Sequence, residues 1–178
     1  LDEFNLSSVL TSHYPQSHYF LDECDRLGLL VFTELPGWQH IGDEEWKLQA
    51  IKNVEEMVIQ YRNHPSIILW GVRINESADD DEFYTRTNEV AHRLDKTRCT
   101  SVVRYSKKSS LLEDVYAFND FSHEGHTKGC LAKKAVTPDM NKGYLIIEYN
   151  GHMYPTKSYD DEIHRTEHCS RQTRVLDE

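Results

Sequence analysis

The stretch Pro65-Ser66-Ile67-Ile68-Leu69-Trp70-Gly71-Val72-Arg73-Ile74-Asn75-Glu76-Ser77 constrains the fold more than any other part of the chain. It starts as an apolar run of strand length and stops at an amide, a carboxylate and a hydroxyl. A run without polar alternation suits a strand buried on both faces, as in a parallel sheet covered by helices. The polar residues then lie at the strand's carboxyl end, where α/β barrels carry their chemistry. Tyr144-Leu145-Ile146-Ile147-Glu148-Tyr149 repeats the design, an apolar strand finishing in a glutamate.

The rest of the chain supplies matching units. Leu6 to Ser12 is expected as a short strand running into Ser12-His13-Tyr14-Pro15. A helix from Ser17 puts Phe20, Leu21, Cys24 and Leu27 at helical spacing and stops at Gly28. Leu29 to Thr33 follows as a strand and opens into Glu34-Leu35-Pro36-Gly37-Trp38-Gln39-His40, a loop with a carboxylate, an aromatic, an amide and a histidine. Asp43 caps a long helix through Tyr61, which Arg62-Asn63-His64-Pro65 ends because the residue before a proline resists helical geometry. Phe83 to Leu94 reads as another helix, and Asp79-Asp80-Asp81-Glu82 suits the positive end of its dipole. Thr100 to Arg104 and Asp114 to Phe118 are weaker strands with too few residues between them for a helix. His123 to Pro138 is expected as loop and short helix. Asn150 to Lys157 is read as a loop leading into a charged helical tail.

Six candidate strands interleaved with helices point to an α/β fold with a parallel sheet. No G-x-G-x-x-G follows a strand, which disfavours a dinucleotide-binding sheet. A complete eight-stranded (β/α)8 TIM barrel takes about 250 residues. At 178 residues the chain fits an incomplete one, read as a single domain over 1–178.

Composition narrows the partners. The net charge of −10, with no basic run longer than two, argues against nucleic acid, which needs clustered Lys and Arg. No apolar stretch approaches the roughly 18 residues of a membrane span. Cys24, Cys99, Cys130 and Cys169 are widely spaced, without a CxxC pair, so reduced packing thiols are expected. Reduced thiols favour a cytoplasmic address, and the first residues, Leu1-Asp2-Glu3-Phe4, lack a signal-peptide pattern.

Asn63-His64-Pro65-Ser66, the apolar run and Asn75-Glu76, in that order, resemble the catalytic barrel of glycoside hydrolase family 2, whose members include β-galactosidases, β-glucuronidases and β-mannosidases. Thr11-Ser12-His13-Tyr14-Pro15 followed by Cys24-Asp25-Arg26-Leu27-Gly28-Leu29 resembles the family's second strand, helix and third strand, and Tyr144 to Met153 its seventh strand. The resemblance covers nearly all of the chain, from the second barrel strand to just past the seventh. It implies that Glu76 is the general acid/base and Glu148 the nucleophile of a retaining, double-displacement β-glycosidase, with β-galactosidase activity the preferred reading. It further implies that Asn75 binds the sugar 2-hydroxyl and that His13 and His152 contact other hydroxyls. Trp38 and His40 fall on a loop that in the family binds substrate or metal. Tyr116 and Asn119 both lie near the sixth-strand position that contacts the nucleophile.

A retaining glycosidase needs two carboxyl groups about 5 Å apart, one ionised to attack and one protonated to release the leaving group. Two carboxylates sharing a pocket help, because one of them is pushed to hold its proton. This chemistry needs no cofactor. A divalent or monovalent metal in a longer enzyme is the open alternative, although His13, His40 and His152 show no H-x-H or H-E-x-x-H spacing. The expected partner is a carbohydrate substrate, with a homo-oligomer as one way to cover open barrel edges. The rival function is a noncatalytic, carbohydrate-binding or structural piece of a larger enzyme, and low activity is expected of the fragment alone.

Overall fold

A computed structural model describes residues 7–122 and 130–149. The order is β1 (Ser8–Thr11), α1 (His18–Leu27), β2 (Leu30–Glu34), α2 (Glu44–Tyr61), β3 (Ile67–Gly71), α3 (Asp81–Leu94), β4 (Cys99–Arg104), β5 (Val115–Asp120), α4 (Lys133–Val136) and β6 (Gly143–Tyr149). The strands form one six-stranded sheet in sequential order, and every neighbouring pair is parallel. A doubly wound sheet reverses its strand order partway, whereas a barrel adds each strand beside the last. The fold is therefore an incomplete (β/α)8 barrel.

Local chemistry sets the helix ends. The Ser17 hydroxyl accepts from Phe20 N to start α1, and Gly28 closes it in the left-handed conformation with φ 70°. Asp43 and Asp80 cap α2 and α3 in the same way, accepting from Trp46 N and Phe83 N. The acidic run is thus divided. Asp80 is the cap and Asp81 and Glu82 fill the first turn, while Asp79 accepts from Arg73 and Ser109 instead.

Two apolar layers meet across the sheet. Leu21, Cys24, Val54, Val58, Tyr61, Phe83 and Ala91 of the helices pack on Val31, Ile67 and Trp70. The other face gathers Phe32, Leu69 and Val103, with Leu10, Val115 and Ile147 against them, a core built from strands alone. Trp70 is fully buried and its indole N–H donates to Asp95 Oδ2 at 3.0 Å. The tryptophan in the apolar strand is core.

One expectation holds and one needs adjusting. As the short spacing implied, β4 and β5 are joined by residues 105–114 without a helix, and they pair in parallel. That connection is held by a polar knot: the buried Arg104 guanidinium donates to Glu113 Oε2 at 2.6 Å and Ser109 Oγ at 2.9 Å and lies over the Tyr116 ring. β6, expected to be buried on both faces, is half-exposed along its length, because among the described residues it pairs only with β5. No helix among the described residues is long and apolar enough to cross a membrane.

Gly71 is paired with Glu34, and a Cβ there would lie 2.8 Å from Glu34 Cγ and 2.9 Å from Glu34 Cα. Because backbone cannot retreat as a side chain can, Gly71→Ala is expected to destabilise the fold by about 1–3 kcal/mol. The midpoint of urea unfolding should fall with an unchanged slope, and an unmoved midpoint would refute the close packing.

Candidate active site

The carboxyl ends of the strands bring five segments together. Leaving β1, the chain presents His13, whose Nδ1 lies 3.2 Å from Oε2 of Glu34, the last residue of β2. His13 Nε2 lies 3.4 Å from Asn75 Nδ2. The loop after β2 is clipped to the loop after β3: Trp38 and Asn75 form an isolated parallel bridge, and Gln39 N donates to Asn75 O at 2.8 Å. Gly37 permits this approach at φ 147°, where a Cβ would meet Ile74 Cδ1 at 2.6 Å.

Glu76 itself is a non-glycine residue at φ 56°, a strained conformation of the kind that collects at functional sites. Its backbone N–H donates to Val103 O at 3.0 Å, which fixes the turn against β4. Its carboxylate accepts three hydrogen bonds: Trp38 Nε1 at 3.1 Å and Gln39 Nε2 at 3.0 Å on Oε2, and Asn119 Nδ2 at 3.0 Å on Oε1. Burial pushes its pKa up, but these donors, with the His13 charge, outweigh burial and hold it below the usual range.

Glu148 arrives by a slip in register. Phe118 pairs with Ile146 and Asn119 with Glu148, so β6 advances two residues while β5 advances one. This bulge sets Glu148 beside Asn119, its partner across the sheet. The Glu148 pKa is raised, by burial first; the nearby Glu76 and Glu34 charges add to this, while His13 and Asn119 oppose it. His13 is raised as well, chiefly by its bond to Glu34, against burial, with the charges of Glu34, Glu148 and Glu76 helping.

Of the residues expected at the site, Glu76, Glu148, Asn75, His13, Asn119 and Trp38 gather here. Tyr116 does not. It is fully buried against Phe118, Val136 and Tyr144, and its hydroxyl donates to Ser106 O at 3.2 Å. His40 lies apart, edge-on to Trp46. His152 falls outside the described residues. Glu34 and Gln39 belong to the cluster although the sequence reading left both without a role. The one group of ligand-type side chains within 4.8 Å among the described residues is Asp22, Asp25 and His64. Asp25 and His64 bond each other at 2.7 Å, and Asp25 also accepts from Ser66 N, so two of the three brace the loop before β3.

The arrangement can hold two carboxyl groups with unequal proton affinities around one shared amide, with an imidazole facing both. Comparison with known proteins matches this chemistry. The family described as "Glycosyl hydrolases family 2, TIM barrel domain" matches residues 1–174. A β-galactosidase of Thermoanaerobacterium thermosulfurigenes is 57% identical over 175 residues, 98% of this chain and 24% of the relative. A β-galactosidase of Thermoanaerobacter pseudethanolicus is 55% identical over 159 residues, 89% of this chain and 20% of the relative. Among solved structures, a β-galacturonidase from Eisenbergiella tayi superimposes with a TM-score of 0.76 at 25% identity, over 96% of this chain and 34% of that one. The chain thus spans about a quarter of the length of these curated β-galactosidases. It belongs to glycosyl hydrolase family 2, as part of that family's TIM barrel domain.

Proposed function

We propose that the protein carrying this chain hydrolyses terminal β-glycosidic bonds with retention of configuration, Glu148 serving as nucleophile and Glu76 as general acid/base. The observation that carries the reading is that both carboxyl groups lie beside Asn119, which donates to Glu76 and pairs with Glu148 across the sheet. A galactoside is the favoured substrate, since the relatives above half identity are β-galactosidases.

In the first step a carboxylate oxygen of Glu148 forms a bond to the anomeric carbon as the glycosidic bond breaks, and the proton of Glu76 goes to the leaving oxygen. In the second, the ionised Glu76 takes a proton from water, whose oxygen displaces Glu148 and frees its carboxylate. The donors on Glu76 favour its ionised form, the state the second step uses. The first step uses Glu76 protonated and Glu148 ionised, whereas the shifts in the ligand-free chain run the other way, Glu76 down and Glu148 up. A bound glycoside that takes up the Trp38 and Gln39 donors would shift Glu76 toward its acid form, and both side chains are exposed.

In the full-length protein, Glu148→Gln should abolish covalent labelling by a fluorosugar inactivator, and undiminished labelling at another residue would overturn the assignment. Glu76→Ala should slow glycosides with poor leaving groups by roughly 100- to 10,000-fold while sparing activated aryl glycosides, and equal losses would refute the acid role.

Removing the Trp38 and Gln39 donors together, as Trp38→Phe with Gln39→Ala, raises the Glu76 pKa. Its acid form then persists further into the alkaline range, so the basic limb of the kcat/KM profile should move to higher pH. A limb that stays put or moves down would show that another group sets it.

A further inference from the structure

We infer that Glu34 is a positioning residue that fixes the His13 ring and holds it as the imidazolium, so that a positive charge faces the Glu76 and Glu148 carboxyl groups from the floor of the site. The structural part stands on Glu34 and His13 alone; the kinetic part rests on the proposed reading.

Glu34 is a carboxylate with almost no contact with water, its side chain 1% exposed. Among the described residues neither Lys nor Arg pairs with it. Oε2 meets His13 Nδ1 at 3.2 Å, and Oε1 is buried without a hydrogen-bond partner. An isolated buried carboxylate is among the most unfavourable groups a core can hold, and it is tolerated when paired with a cation. The close approach of Gly71 in β3, where any Cβ would strike Glu34 Cγ and Cα, holds this side chain in place.

The ring's connections give the charge a direction. With the Nδ1 proton donated to Glu34, Nε2 is the atom facing the site, next to Asn75 Nδ2 at 3.4 Å. Neutral His13 accepts there from the Asn75 amide. Protonated His13 presents an N–H instead, and donates to the Asn75 amide turned to offer its oxygen, to a ligand oxygen or to a carboxylate. The groups whose charge reaches it are Glu34 on β2, Glu76 after β3 and Glu148 on β6, all acidic, and burial alone opposes the cation. Glu34 and His13 are both raised, the behaviour of a pair that keeps one proton between them. The imidazolium in turn favours the ionised form of Glu148, the form that attacks.

Glu34→Gln tests this, because its amide carbonyl still accepts from Nδ1 in nearly the same volume while the charge is gone. In the 178-residue chain, the His13 ring protons followed by NMR should titrate at lower pH than in the unsubstituted chain. In the full-length enzyme, loss of the imidazolium raises the Glu148 pKa, so the acid limb of kcat/KM toward an aryl β-galactoside should move to higher pH. Glu34→Asp restores the charge and should bring both readouts back toward the starting protein, which keeps the test intact if the glutamine variant folds poorly. A His13 titration unmoved by Glu34→Gln overturns the inference. A moved titration in a full-length protein that cleaves no β-glycoside leaves the Glu34–His13 pairing standing and removes the proposed function instead.

Discussion

Between Phe118 and Asn119 the pairing of β5 with β6 slips by one residue, and the position of Glu148 depends on that slip. Without it Asn119 would face Ile147, which packs into the strand-built core with Phe32, Leu69 and Val103. Because side chains alternate along a strand, a one-residue shift turns a position from one face to the other. The bulge keeps Ile147 in the core and still delivers the next residue to the rim beside Asn119. A bulge re-aiming a side chain next to a functional site is a recurrent use of this irregularity. Glu76 reaches the same amide by a different device, a left-handed turn anchored to Val103.

Because Glu34, Glu76 and Glu148 all lie within electrostatic reach of His13, their proton affinities are not independent. Three negative charges and one positive would leave the cluster anionic, so burial and mutual repulsion favour retaining protons. The hydrogen-bond donors decide where. Asn119, Gln39 and Trp38 converge on Glu76 and make it the more acidic partner, while Glu148 and Glu34, with fewer donors, are shifted the other way. Two of the three donors sit on the loop after β2 and the third on β5, so a ligand that moves that loop changes the proton affinity of Glu76 while Asn119 stays in place.

Much of this was legible in the residues. The helices, their caps at Ser17 and Asp43 and the stop at Gly28 follow local rules that tertiary contacts did not override. The choice between Tyr116 and Asn119 was open at the level of motif, yet the period of a strand could have narrowed it. Residues three apart on a strand face opposite sides, so the two could not both point at the carboxylates. Glu34 was harder to find. A strand-end glutamate is common, and what marks this one is its pairing with Gly71 across the sheet, which only register reveals. The knot in the connection from β4 to β5 is of the same kind, since the burial of Arg104 and Glu113 as a pair comes from folding.

The two ends of the sheet divide the work between stability and chemistry, as the barrel architecture does in general. At the amino end, charges are closed on one another. Asp95 takes Trp70, Thr97 and Arg98, Asp25 takes His64 and Ser66, and Arg98 also donates to the carbonyls of His64 and Ile67. At the carboxyl end, Glu34, Glu76 and Glu148 lie within electrostatic reach of one imidazole, His13, so charge there is shared across a cluster instead of being closed in separate pairs. A change in the proton or partner of any one of them is felt by the others, which is what acid–base chemistry at a strand-end site requires.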